Sequence, residues 1–156
     1  MLKKALIPLL FLISFSTLAN EVLEGRVVNV HDGDTVTLVM TDNQTIRVRL
    51  AQIDAPELAQ ESGPLSQQSL AQLVLNQDIK VQKETVDKYG RVVGTLFVGG
   101  LNANREQVIR GMAWVYRQYM HDKTLLSAED NARTAHLGLW ANPNPIAPWD
   151  YRHSSQ

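Results

Sequence analysis

Thr35-Val36-Thr37-Leu38-Val39-Met40, Thr41-Asp42-Asn43-Gln44 and Thr45-Ile46-Arg47-Val48-Arg49-Leu50 follow one another without a gap. The last six residues alternate polar with apolar, as a strand does when it shows one face to water. The middle four are turn formers, and the first six are rich in β-branched residues. Upstream, Val22 to Val30 is a second valine-rich run, separated from Thr35 by the turn Asp32-Gly33-Asp34. Three strands joined by short turns make a meander. Downstream, Ile79 to Val86 and Arg91 to Val98 read as a hairpin with Asp87-Lys88-Tyr89-Gly90 at its tip.

Helical segments lie between and after these strands. Ser62-Gly63-Pro64 resembles a helix start, and Leu65, Leu70, Leu73 and Val74 continue it as an apolar stripe. Asn104 to Arg110 is a short helix stopped at Gly111, and Met112 to Tyr116 a short apolar-aromatic strand. Leu125 to Leu137 is a helix closed by Gly138 as its C-terminal cap. Five strands with about three helices predict an α+β fold, a five-stranded Greek-key barrel of the OB-fold (oligonucleotide-binding) type. Residues 142–156, with prolines at 143, 145 and 148, are expected to be an irregular tail after a domain spanning 20–141.

The 156 residues suffice for one domain with a real core. Lys3 and Lys4, the apolar run from Ala5 to Phe15 and the small residues of Thr17-Leu18-Ala19 predict an export signal cleaved after Ala19. That run is shorter than the roughly 20 residues a membrane span requires. The expected destination is the periplasm or the exterior, with no stable membrane association once residues 1–19 are removed. There is no cysteine, which excludes a disulfide-stapled mini-domain. Losing Lys3 and Lys4 moves the net charge from −1 to −3, without the basic excess of a protein that grips nucleic acid tightly. An enzyme that must release a polyanion suits that balance better than a coating protein does.

Three short runs carry the chemistry: Asp32-Gly33-Asp34-Thr35, Arg49 to Glu57, and Asp87-Lys88-Tyr89-Gly90-Arg91. Asp34 and Asp54 lie at different strand ends, and a metal site needs such convergence; oxygen ligands alone select a hard cation. Glu57, on an irregular segment three residues after Asp54, is suited to hold a water and accept its proton. Arg49 and Arg91 can each present a two-pronged fork to phosphate oxygens. Taken singly, each has an ordinary explanation: a turn, a strand end, a loop glutamate, solvated edge arginines. Together they form an inventory for metal-assisted cleavage of a phosphodiester.

In order and internal spacing the three runs resemble the thermonuclease (staphylococcal-nuclease-like) family. Asn104 with Gly111-Met112-Ala113-Trp114-Val115-Tyr116 is a fourth similar block, Gly138-Leu139-Trp140 a looser fifth, and the resemblance spans Val22 to Trp140. It implies a barrel nuclease that uses one calcium ion to hydrolyse DNA and RNA, leaving 3′-phosphates. It further implies that Asp34, Asp54 and the Ala55 backbone carbonyl ligate calcium. Glu57 would be the general base or water-positioning group, and Arg49 and Arg91 would stabilise the pentacoordinate transition state. Asp32 would order the turn around the metal. Lys88 and Tyr89 match positions that meet a terminal phosphate, and Tyr116 falls in a block whose aromatics flank the base pocket.

Ala55 stands where the best-known member has threonine. Residues 58–63 form a shorter segment, acidic at Glu61, which bears on substrate grip and strand preference rather than on chemistry. Single-stranded substrates and a monomer are expected. The alternative is a non-catalytic OB-fold oligonucleotide-binding module, against which the presence of all five key side chains speaks. His31, His121, His136 and His153 lack metal spacing, and Trp114 and Trp140 read as core.

Overall fold

A computed structural model describes residues 21–154, so the export-signal expectation for residues 1–19 lies outside the described residues. Strands β1 (Val22–Val30), β2 (Thr35–Met40) and β3 (Thr45–Leu50) form the expected meander. A two-residue strand β4 (Ile53–Asp54) and helix α1 (Gly63–Val74) follow. The second hairpin is β5 (Asp78–Val86) and β6 (Val92–Val98). Beyond it come β7 (Leu101–Asn102), α2 (Ala103–Ile109), β8 (Trp114–Val115), α3 (Thr124–Thr134), a 3-10 turn (Gly138–Ala141) and α4 (Pro148–Ser154).

The strands run β3-β2-β1-β5-β6, and a parallel pairing of β3 with β6 closes them into a five-stranded mixed barrel, with β7 added to β6. Closure leaves no long unpaired edge within the barrel. The alternation read in β3 is realised: Val48 and Leu50 are buried while Thr45 and Arg47 are exposed. Val27, Val36, Leu38, Val81 and Leu96 complete the interior. Leu70 and Val74 of α1, Val108 of α2 and Leu125 of α3 join the same core, each worth about 1.5–3 kcal/mol as a buried aliphatic side chain. Among the described residues no helix is long and apolar enough to cross a membrane.

Three local expectations are corrected. Residues 142–156 are not an irregular tail throughout, because Pro148 opens α4, whose Tyr151 N–H donates to the Ala147 carbonyl. The pattern was too short to show helical periodicity, and what anchors it is tertiary: Trp149 stacks on Tyr116 (5.7 Å, 9° between planes) and meets Trp114 edge-on at 5.5 Å. Helix α3 ends at Thr134 rather than Leu137, since His136 takes a left-handed φ of 53° and turns the chain out. Gly138 therefore does not cap α3. It opens the 3-10 turn, against the Gly111 loop, so closely that a Cβ would strike the Gly111 carbonyl. Finally, the strand expected over Met112 to Tyr116 is only Trp114–Val115, which pairs with β4.

Candidate active site

Register builds the centre of the site. Antiparallel pairing sets Thr35 opposite Arg49, so Asp34, just before β2, lies beside the end of β3. The Leu50 N–H donates to the Asp34 carbonyl (2.8 Å), and the chain then returns through β4, which ends at Asp54. Asp32 Oδ1 accepts from the Asp34 N–H (2.9 Å), closing the Asp-Gly-Asp turn. A Cβ on Gly33 would overlap Ser66 Oγ and come within 2.7 Å of Ala55 Cβ, so glycine is required by close approach. The buried Gln107 amide pins the Gly33 carbonyl at 2.8 Å.

One guanidinium spans the two aspartates. Arg49 Nε lies 3.2 Å from Asp34 Oδ1 and Nη2 2.8 Å from Asp54 Oδ1. Nη1 donates to the Leu50 and Ile53 carbonyls at 2.8 and 2.9 Å. Three of the five N–H groups of Arg49 thus donate to protein oxygens, while Nε meets Asp34 as an ion pair and one Nη2–H carries no protein hydrogen bond. Asp34 also accepts from the Ala55 N–H through Oδ2 (2.7 Å) and from Thr35 Oγ1 (3.0 Å).

Acidic charge is concentrated here. Asp34 and Asp54 are 5% and 1% exposed. Burial, then the charge of Asp34, pushes the Asp32 carboxyl up to about 7. Burial also raises Asp54, against the pull of Arg152 and Arg49. Such an excess of buried carboxylate oxygen fits a hard divalent cation. Among the described residues no group of three or more His, Asp or Glu side chains is disposed to hold a metal. Asp34 and Asp54 are the two buried carboxylates that could hold such a cation, other oxygens completing its coordination.

Glu57 sits on the loop after β4. Its N–H donates to Gln60 Oε1 and its carbonyl accepts from the Gln60 N–H, both at 2.8 Å. Gly63 opens α1 so close beneath that a Cβ would strike the Glu57 carbonyl. The Glu57 carboxylate reaches toward Asp54 and accepts from Arg152. Arg91, which closes the turn between β5 and β6, is braced by Asp87 through Nε (2.7 Å). It is joined to none of Asp34, Asp54 or Glu57. Lys88 and Tyr89 occupy the hairpin tip, with Tyr89 71% exposed and Lys88 Nζ 5.0 Å over its ring. Tyr116 has one ring face covered by Trp149 and Tyr119 against it edge-on.

Sequence reasoning passed over Arg152 of α4, whose Nη2 lies 2.8 Å from Asp54 Oδ2 and whose Nη1 lies 2.8 Å from Glu57 Oε1. Those carboxylates, Asp54 first, hold the guanidinium firmly protonated. The one available signal was a proline followed by aromatic residues and arginine, a short helix start. Asn104, which the sequence reading places only within a similar block, has a structural role here. It is buried and ties the Leu96 N–H (3.0 Å) to the Ala51 and Gly94 carbonyls (3.0 and 3.1 Å), fixing the chain just before β4.

Comparison with known proteins agrees with this architecture. A family model described as "Staphylococcal nuclease homologue" matches residues 47–142. A micrococcal nuclease of Shigella flexneri is 43% identical over 143 residues, covering 85% of this chain and 82% of its own. An uncharacterized endonuclease of Haemophilus influenzae is 41% identical over 131 residues, covering 84% and 74%. Another from Escherichia coli is 40% identical over 149 residues, covering 94% and 96%. With the barrel, the family match and these relatives together, the chain belongs to the staphylococcal nuclease family and is a nuclease.

Proposed function

We propose that this nuclease is exported to the periplasm or the exterior and hydrolyses DNA and RNA with one calcium ion, leaving 3′-phosphates. The observation that carries the reading is the pair Asp34 and Asp54, drawn from separate segments to the Nε and Nη2 atoms of one Arg49 guanidinium. Glu57 reaches the same place from the following loop. Calcium held by Asp34, Asp54 and the Ala55 carbonyl would supply positive charge to a non-bridging phosphate oxygen.

Glu57 holds a water in line with phosphorus and takes its proton as the new oxygen–phosphorus bond forms. The bond to the 5′-oxygen breaks, its electron pair remains on that oxygen, and solvent returns a proton. The remaining Nη2–H of Arg49 and the Nη groups of Arg91 donate to the equatorial oxygens as charge builds. Arg91 would also attend the leaving oxygen through its Nη groups, its Nε being held by Asp87. Asp32 orders the turn that carries Asp34. Lys88 and Tyr89 at the exposed hairpin tip and Tyr116 at the aromatic cluster are assigned to substrate binding. Single-stranded substrates are preferred, the net acidity makes binding of long nucleic acid weaker and more salt-sensitive, and the protein acts as a monomer.

The test is digestion of single-stranded DNA and of RNA by the purified chain in calcium, in magnesium and in chelator, with end-group analysis. Calcium-dependent cutting that leaves phosphatase-sensitive 3′ ends supports the reading. Equal cutting in chelator, or 3′-hydroxyl ends, refutes it.

A further inference from the structure

We propose that Arg152 is a positioning residue for this reaction, one that braces the Glu57 carboxylate against Asp54; the inference rests on the role given to Glu57 above. One guanidinium joins the two acids: Nη1 to Glu57 Oε1 at 2.8 Å, Nη2 to Asp54 Oδ2 at 2.8 Å, and Nη1 to Asp54 Oδ1 at 3.3 Å. The two carboxylates are not equally in need of it. Asp54 is 1% exposed and already clamped by Arg49, whereas the Glu57 side chain is 38% exposed. Among the described residues Arg152 is the side chain that donates to the Glu57 carboxylate. Without it, the long side chain of Glu57 would sweep solvent, and a displacement of about 1 Å can cost about a hundredfold in rate.

The brace is itself anchored. Trp149 packs on Tyr116 and Trp114, seating α4 on the barrel. Gln60 Nε2 donates to the Ile146 carbonyl (3.0 Å), and Asn142 Nδ2 to Glu61 Oε2 (3.2 Å). The loop that carries Glu57 and the segment that carries Arg152 are thus tied at two points besides the Arg152–Glu57 contact itself. The C-terminal segment is therefore a working part of the active site. Guanidinium chemistry is specific to the task, because a lysine ammonium cannot present a planar fork to two carboxylates at once.

The test uses the full chain, Arg152→Gln and Arg152→Lys, with single-stranded DNA at saturating calcium. Tryptophan emission from the cluster of Trp114, Trp140 and Trp149, compared with the same spectrum of Trp149→Phe, reports whether α4 stays docked, and titration calorimetry gives calcium affinity. Arg152→Gln is expected to lower kcat by about a hundredfold, the cost of a displaced catalytic group, with KM little changed. Calcium affinity should hold, because Asp54 keeps Arg49, and Arg152→Lys should recover part of kcat. An unchanged kcat in Arg152→Gln overturns the inference. So does a rise in kcat with tighter calcium binding, which would make Arg152 a cation that competes with the metal. Should α4 undock in Arg152→Gln, Arg152→Lys decides: full kcat there, with Trp149 still docked, overturns the inference. Wild-type protein that cuts nothing overturns the nuclease mechanism and this inference with it, whereas wild-type cutting matched by Arg152→Gln overturns the inference alone.

Discussion

Replacing Arg49 by methionine keeps most of the side-chain volume and removes the charge that sits between Asp34 and Asp54. Four contacts go at once: Asp34 Oδ1 at 3.2 Å, Asp54 Oδ1 at 2.8 Å, and the Leu50 and Ile53 carbonyls at 2.8 and 2.9 Å. Arg49 is 14% exposed, and its two acidic partners are 7% and 1% exposed at the side chain, so water cannot replace it. Breaking a buried pair from one side costs about 3–5 kcal/mol, because the surviving charge is left uncompensated. Asp54 retains Arg152, which places the expected loss near the lower end, about 3 kcal/mol. At roughly 2–4 °C per kcal/mol for a domain of about this size, Tm should fall by about 6–12 °C. Urea and thermal unfolding in chelator at pH 7 measure this directly. Excess calcium should return part of the loss, since a cation bound only to the folded state stabilises it by mass action. A loss under about 1 kcal/mol, the value of an exposed ion pair, would refute the argument that Arg49 neutralises the two carboxylates.

Arg91→Lys should lower kcat severely while leaving stability almost unchanged, since its Nε contact with Asp87 is part-exposed but its two-pronged reach to phosphate is lost; kinetics beside a melting curve separate the two. Asp122 accepts from the Thr124 N–H and hydroxyl at the start of α3, and those bonds hold its carboxyl below the usual range. Asp122→Ala should therefore cost about 1 kcal/mol at neutral pH. Because the folded-state pKa is depressed, that difference is fully present above the unfolded value of about 4 and vanishes as pH falls through the folded one; urea titrations at several pH values read it out. Gly33→Ala should cost about 1–3 kcal/mol by overpacking Ser66 and Ala55, and should impair cleavage as well, because both Asp34 and Ala55 shift.

The barrel was legible because its strands declare themselves locally. The alternation of Thr45 to Leu50 becomes an exposed–buried alternation in β3, and the turn at Asp32-Gly33-Asp34 is closed by its own aspartate. The proximity of Asp34 to Arg49 follows from hairpin register, a property carried by the turn residues and the hydrophobic pattern. Arg152 and α4 were not legible, since a seven-residue helix carries too little periodicity, and its place depends on ring contacts with Tyr116 and Trp114 from distant elements. The early end of α3 has the same kind of cause: the Gly111–Gly138 contact joins two loops far apart in sequence and decides where the helix must stop. The commitment of three Arg49 N–H groups to protein oxygens likewise depends on where β4 returns.

The decisive measurement is single-turnover cleavage of single-stranded DNA at saturating calcium by the wild-type chain and Glu57→Gln, with calcium affinity measured on both proteins. Glu57→Gln should be slower by about 10²–10⁴-fold, the usual worth of a positioned general base, while calcium binds both proteins equally. A variant that cuts within about twofold of wild type would show that Glu57 does not activate the attacking water.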